Sequence, residues 1–406
     1  MTYAGERVVH DADSHVMEQP DWLLRHAEPA VAERLGPLWM RGLGQFAEDV
    51  VAGVAAARRD PAAGAALEQE LLQRKNWWAL GASDPDGRSR ALDLLGFRSQ
   101  LVFSTHSSRS LLAPLGPSVG SDRAPPSALR DPALLYEAAA AHNRAMAEFC
   151  AGDPRLLAVA WVPLDDPARA LAVAREAVAL GCAAVEVPSE ARGERSIAHV
   201  DHDPLWQLLE QHGRPLVLHL GSGGEVPNPV FASTGLPVPD DPMGNAEPLR
   251  RLRVVGLAAP VEMAVAALVL DGVLERHPRL RVGVIEQGAT WVPGFVRRLD
   301  LAVELDRTMR HADWAPGDLA DAPSSYVARQ VRFTPFPGEP LGWIVEQTDP
   351  ALYMFSTDFP HAEGGEDPLG QFLAALDGQP PAVVDAFLSA NFEALMGPAL
   401  YERTGS

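Results

Sequence analysis

The residues best suited to chemistry stand at the ends of short apolar, β-branched runs. The first run reads Val-Val-His10-Asp11-Ala-Asp13-Ser-His15, and later runs end at His219 (Val-Leu-His), Glu286 (Val-Ile-Glu) and Asp358 (Phe-Ser-Thr-Asp). A buried carboxylate is costly unless paired or coordinated, so imidazoles and carboxylates gathered at strand ends call for a cation, and a divalent metal meets that need. Along an extended chain side chains alternate, which predicts Asp11, Asp13 and His15 on one side and Ala12 and Ser14 on the other. Singly, each has an ordinary role: a hydrogen-bonded core His, an N-capping Asp, a Glu286 paired with a nearby Arg. It is their joint occurrence at four strand ends that points to one pocket.

Such convergence needs a scaffold, and the order of elements supplies it. Eight apolar runs alternate with helical patterns: Val8 to Asp13, Gln100 to Ser104, Leu157 to Val162, Ala183 to Val187, Pro215 to His219, Arg281 to Glu286, Val331 to Thr334 and Leu352 to Ser356. Between them, helix-period segments run from Pro132 to Cys150, Pro167 to Leu180, Pro204 to His212, Val261 to Arg276 and Pro381 to Leu395. Several open at Asp-Pro, with Asp as N-cap and Pro at the first helical position. Repeated βα units predict an α/β fold, a distorted (β/α)8 TIM barrel, in which the C-terminal strand ends share one face. Residues 1–406 read as a single domain, with helical and loop insertions at about 16–98 and 220–260 expected to cover that face. The first insertion holds helix-like Ala30 to Gly36 and Gln45 to Arg59, then Asn76, Trp77 and Trp78. The second is rich in Gly and Pro, from Gly221-Ser-Gly-Gly to Gly244.

Further candidates are weaker. Glu186 on the fourth run joins the pocket if that strand points it inward, and a one-residue slip turns it out. Glu18 follows the first strand. His106 and Arg109 follow the second and are placed to meet an anionic substrate, although Arg109 also suits the surface. Trp77, Trp78 and Trp291 are candidates to line an apolar pocket or simply to pack.

Composition removes other functions. The 406 residues carry 54 Asp and Glu against 34 Lys and Arg, a net charge of −20 with neutral His. So acidic a surface repels phosphate and anionic headgroups, which argues against nucleic-acid and membrane partners. Cys150 and Cys182 form no disulfide framework and suit a reducing compartment as buried fillers. The N-terminus has no apolar h-region, and no uncharged apolar run approaches the ~18 residues of a membrane span, so a soluble cytoplasmic protein is expected.

Several motifs resemble one family. Asp11-Ala-Asp13-Ser-His15, Arg90-Ala-Leu-Asp93-Leu-Leu-Gly96-Phe, His142-Asn143-Arg144-Ala-Met-Ala-Glu-Phe149, Asp153-Pro-Arg-Leu, Leu216-Val-Leu-His219 and Phe355-Ser-Thr-Asp358-Phe-Pro-His361 look like the amidohydrolase-related (amidohydrolase 2) family. This is the branch of the metal-dependent amidohydrolase superfamily that also holds the aminocarboxymuconate-semialdehyde decarboxylase-like enzymes. The resemblance spans nearly the whole chain and implies a distorted TIM barrel with a catalytic metal. It puts His15, His219 and Asp358 on metal-ligand positions, with Asp13 where the common pattern has the first His of a His-x-His pair. Glu286 falls near a position where many relatives carry His. Carboxylate is harder than imidazole, so manganese or iron stand beside zinc as the expected divalent ion, one or two per chain. The ligand set expected is Asp13, His15, Glu186, His219, Glu286 and Asp358. Asp358 doubles as ligand and base, Glu286 is a second candidate base, and His361 a proton donor or substrate contact.

The activity expected is metal-dependent activation of bound water to hydrolyse a small organic substrate, or non-oxidative decarboxylation at the same site. Two imidazoles with four carboxylates also match carboxylate-bridged di-iron centres, which makes a non-haem di-iron oxygenase on this barrel the alternative. The resemblance further implies a homo-oligomer.

Overall fold

A computed structural model describes residues 2–38, 40, 43–112, 131–189, 194–220, 235, 251–309 and 319–400. Seven parallel strands follow one another in chain order: β1 His10–Val16, β2 Ser99–Ser104, β3 Leu156–Trp161, β4 Ala184–Glu186, β5 Leu216–His219, β6 Val282–Ile285 and β7 Val331–Phe333. Every strand pair is parallel. The strands are buried on both faces, hence their near-continuous apolar sequences.

The eighth run does not form a ladder strand. Residues 353–359 instead make an extended stave that closes the curled sheet through single bridges, Tyr353 to Phe333 of β7 and Phe359 to Ser14 of β1. The amides of Met354, Ala12, Asp358 and His15 donate to Phe333 O, Phe355 O, Asp13 O and Phe359 O at 2.9, 3.0, 2.9 and 2.6 Å. The fold is thus a distorted TIM barrel whose last stave is stitched rather than laddered.

Inside it, Ala12, Leu101, Phe103, Leu157, Val159, Val217, Ile285 and Met354 pack as one cluster with Phe392 and Leu395. A larger apolar layer lies between the sheet and its helices. Each fully buried Leu, Val or Phe there contributes about 1.5–3 kcal/mol.

Helix starts follow local chemistry. The Asp131 carboxylate caps Pro132–Cys150, Asp166 caps Pro167–Ala179, and Asp60 and Asp84 cap Pro61–Gln69 and Pro85–Leu95. Asp203-Pro204 breaks the rule. Asp203 is already inside Asp203–Gln211, with no side-chain cap before it, and its carboxylate binds Arg276 at 2.9 Å instead. The segment expected as one helix from Val261 to Arg276 is two, Ala259–Leu270 and Val273–Arg276, because Gly272 adopts φ +75° between them. Pro381 to Leu395 likewise carries an Ala386–Ala390 π-turn between the helices Pro381–Asp385 and Asn391–Met396.

The insertion after β1 supplies the helices Pro29–Leu35, Gly44–Arg59, Pro61–Gln69 and Pro85–Leu95 and the single turn Asn76–Trp78. That turn reaches the C-terminal strand ends, where Asn76 N donates to Pro360 O at 2.8 Å. The second insertion, including Gly221-Ser-Gly-Gly, lies largely outside the described residues. Cys150 and Cys182 are buried and not joined in a disulfide. Among the described residues no helix is long and apolar enough to cross a membrane.

Candidate metal centre

Four strand ends deliver a cup of buried ionisable groups. Asp13 and His15 come from β1, His219 from the end of β5, Glu286 from just past β6 and Asp358 from the closing stave. Donor atoms of Asp13, His15, His219 and Glu286 all lie within 4.8 Å of one another, as do those of His15, Asp358 and His361. His15 Nε2 is 3.2 Å from Asp13 Oδ1 and 3.4 Å from Asp358 Oδ1. His219 Nε2 is 3.4 Å from both Asp13 Oδ1 and Glu286 Oε2.

The backbone is bent to achieve this. Among the described residues, Glu286 and Asp358 are two of the three non-glycine residues with positive φ, at +56° and +52°. Such conformations are held only where surroundings over-determine them. Here Glu286 N donates to Thr334 Oγ1 at 2.8 Å, and Asp358 N to Asp13 O at 2.9 Å.

β1 carries a bulge that the simple alternation misses. Asp11 pairs with Gln100 and Ser14 with Val102, so three steps on β1 oppose two on β2. The extra residue lets Ala12 pack inside the barrel while Asp13 and His15 still face the cup. Asp11 turns away from them. Its carboxylate accepts from Gln100 Nε2, Thr357 N and Thr357 Oγ1 at 2.8, 2.9 and 2.6 Å, and burial raises its pKa to about 7. The expectation that Asp11 shares a face with Asp13 and His15 is therefore corrected.

The donors suit a cation. Nδ1 of His15 lies 3.1 Å from Ser104 O and Nδ1 of His219 lies 2.8 Å from Leu220 O. A carbonyl only accepts, so each Nδ1 bears the hydrogen, and whenever a ring is neutral its lone pair is on the inward Nε2, as for metal-binding histidines. His15 Nε2 and Asp358 Oδ2 are buried with no hydrogen-bond partner. Charge crowding gives the same answer. Burial, then repulsion from Glu286 and Asp13, raises Asp358 well above the usual carboxylate range. Asp13 would be raised by burial too, but the imidazoles of His15 and His219 beside it hold it at about 2. Burial alone would lower His219, yet Asp13, Glu286 and Glu186 push it up to about 10. A proton on His219 and a cation in the cup answer the same need for positive charge among carboxylates.

Glu186, at the end of β4, is buried, feels His219 and Asp13, and is raised by burial to about 7. It faces inward but belongs to neither donor group. Glu18 is not in the cup. It accepts from the amides of Thr105, His106 and Ser107 and from Ser107 Oγ, at 2.8 to 3.2 Å, tying the turn after β2 to the end of β1. His106 stacks on Trp77, rings 4° from parallel and 5.2 Å apart. The side chain of Arg109 lies outside the described residues. Trp291 packs on Phe295 and Phe333, and Trp78 against Phe46. Reading the sequence missed Lys75, whose Nζ donates to Gly365 O and whose charge is felt at Asp358. It also missed Arg88, wholly buried beneath β1. Neither carries a motif that would have marked it.

Ser107 also links Glu18 to the buried His142 at 2.7 Å. Burial lowers His142 to about 3. Between pH 6.5 and 3 the unfolded chain takes up a proton there that the folded chain refuses, so this contribution is complete above pH 6.5 and is lost as pH falls toward 3. Urea unfolding at pH 4.5 should show about 2–3 kcal/mol less stability than at pH 6.5 from this residue alone. His142→Gln should flatten the profile by that amount, and an unchanged slope would dismiss the assignment.

The same architecture recurs in solved structures. An amidohydrolase from Mycobacterium avium subsp. paratuberculosis K-10 is 21% identical, with a TM-score of 0.69 over 97% of this chain and 100% of that one. 5-Carboxyvanillate decarboxylase from Sphingomonas paucimobilis is 18% identical, with a TM-score of 0.60 over 96% and 98%. The 5-carboxyvanillate decarboxylase of Novosphingobium aromaticivorans, complexed with manganese and 4-hydroxy-3-methoxy-5-nitrobenzoic acid, is 16% identical, with a TM-score of 0.60 over 97% of each chain. No curated protein matches. At these identities the structures speak for the barrel alone. The sequence itself matches the Amidohydrolase family (Amidohydro_2) over residues 115–397. That span holds His219, Glu286 and Asp358, three of the side chains that build the cup, and the chain belongs to the amidohydrolase family.

Proposed function

We propose that this enzyme is a divalent-metal hydrolase of a small, uncharged organic substrate. The observation that carries the proposal is the pair formed by Asp358 and His361: Asp358 Oδ1 lies 2.8 Å from His361 Nδ1 at the edge of the donor cup. Asp13, His15, His219, Glu286 and Asp358 would hold the ion, with Glu186 buried beside them. Their carboxylate-rich set favours manganese over softer alternatives. A bound divalent cation supplies Lewis acidity and makes water more acidic. Asp358, backed by the imidazole of His361, is placed to take a proton from attacking water and return it to the leaving group. Glu286 reaches the same space and serves as ligand or second base.

Electrostatics favours hydrolysis over decarboxylation. The solved decarboxylases act on carboxylated aromatics, whereas this cup presents four carboxyl groups, Asp13, Glu186, Glu286 and Asp358. One divalent ion leaves so acidic a pocket poorly matched to a carboxylate substrate and better matched to a neutral ester, lactone or amide. The second donor group, His15, Asp358 and His361, supports an alternative two-ion oxygenase. It is the weaker reading, because His361 already uses both ring nitrogens, on Asp358 and on Thr105 at 2.9 Å.

The test is turnover by the manganese-loaded protein of ester and lactone panels followed by proton release and of an amide panel followed by amine release, each with and without oxygen, beside a benzoate panel followed by CO2 release. Acid release independent of oxygen is expected. Release of CO2 instead, or an absolute need for oxygen with two irons per chain, would replace the proposal. Independently of substrate, manganese at 100 times its dissociation constant should stabilise the fold by about 2.7 kcal/mol, reversed by chelator. Identical melting curves with and without manganese would refute binding at the cup.

A further inference from the structure

We infer that Thr105 is a positioning residue, which clamps His361 edge-on to Asp358 and so fixes the orientation of the Asp358 carboxylate beside His15. The inference deepens the hydrolase proposal and rests on it for its catalytic arm. Thr105 follows β2 and occupies no ligand position. Its Oγ1 sits 2.9 Å from Val16 O and 2.9 Å from His361 Nε2, while His361 Nδ1 lies 2.8 Å from Asp358 Oδ1. Both edges of the imidazole are therefore engaged by the protein. A ring bridging two fixed oxygens cannot rotate to present a nitrogen to a substrate or an ion without breaking one of these bonds.

The consequence falls on Asp358. With Oδ1 occupied by His361, Oδ2 is the oxygen left buried without a hydrogen-bond partner. The carboxylate is thus pre-oriented, and His361 works through Asp358 rather than on substrate directly.

Thr105 is itself held from below. Its amide donates to Glu18 Oε2 at 3.0 Å, and the amides of His106 and Ser107 donate to the same carboxylate at 2.9 to 3.2 Å. Glu18 is buried. A hydroxyl on so constrained a turn is a fixed bracket, and outer partners of this kind set the orientation of ligating carboxylates.

The experiment compares Thr105→Val, which keeps the shape and deletes the hydroxyl, with Thr105→Ser, which keeps it. Metal-free protein labelled with ¹⁵N-histidine is recorded by NMR, with His361→Gln assigning the ring signals. Manganese affinity is measured by chelator competition, and kcat and KM on whichever hydrolysable panel compound turns over. Thr105→Val should move the His361 Nε2 resonance, weaken manganese binding about 10-fold and lower kcat about 10- to 100-fold with KM nearly unchanged. Thr105→Ser should restore all three. A Thr105→Val protein with wild-type His361 shifts and wild-type manganese affinity overturns the assignment, as does a Ser variant as impaired as Val. Should no panel compound be hydrolysed, the hydrolase proposal fails while the NMR and manganese arms still decide the role of Thr105.

Discussion

Asp358→Asn should reduce turnover of the manganese-loaded protein by about four orders of magnitude, because the proposed mechanism uses Asp358 both to hold the ion and to accept the proton. The same substitution should not unfold the protein. Asp358 is buried among like charges, with burial first and Glu286 and Asp13 next in raising its pKa. In the folded, metal-free protein it keeps its proton at pH values where the unfolded chain has released it. Stability from this residue is therefore fully present below its unfolded pKa near 3.8 and declines as pH rises through the folded value. An amide never ionises, so metal-free Asp358→Asn should be at least as stable as the parent at pH 7 and show a flatter pH profile. Chemical unfolding with and without manganese, beside kcat, checks both halves. A variant that keeps more than a hundredth of the parent kcat would remove Asp358 from the chemistry. One that loses stability at neutral pH in the metal-free state would show that its charge is compensated.

Arg88→Ala should cost about 3–5 kcal/mol of folding stability, a large effect for a residue outside the cup. Its guanidinium is wholly buried, lies 4.9 Å from the Phe359 ring centroid and 5.9 Å from that of Phe149, and donates to His15 O and to Gly81 O. Truncation leaves a cavity and two buried carbonyls short of a donor. Burial lowers its pKa to about 10, so it remains charged at neutral pH. Arg88→Lys should recover little, since an ammonium has neither the planar fork nor the stacking face. Manganese affinity should fall alongside stability, because the donated hydrogen bond fixes the backbone of His15. Urea midpoints within 0.5 kcal/mol of the parent would contradict this account.

What the sequence made legible was the set of strand ends. His219, Glu286 and Asp358 each follow an apolar run, and burial between sheet and helices makes such runs continuous and easy to read. Pro132–Cys150 was equally plain, since Asp131-Pro132 fixes its start. Asp11 misled because a single-residue bulge changes no composition while reversing which neighbours face inward. The break at Gly272 had a visible signal, a glycine within an apolar helix, whereas Asp203-Pro204 imitated a cap that the Arg276 ion pair had claimed. Thr105 and Lys75 were silent, as their roles depend on meeting residues more than 250 positions away in the chain.

The stitched closing stave has a consequence for biosynthesis. His15 leaves the ribosome long before Asp358, yet the two stand 3.4 Å apart. A nascent chain lacking residues 353–359 exposes one unmatched edge on β1 and another on β7, and it cannot yet assemble its full set of ion donors. Assembly of the proposed ion site is thereby deferred until the closing stave has been made, and products terminated before it should be both edge-exposed and unable to take up manganese at native strength, which marks them for aggregation or degradation.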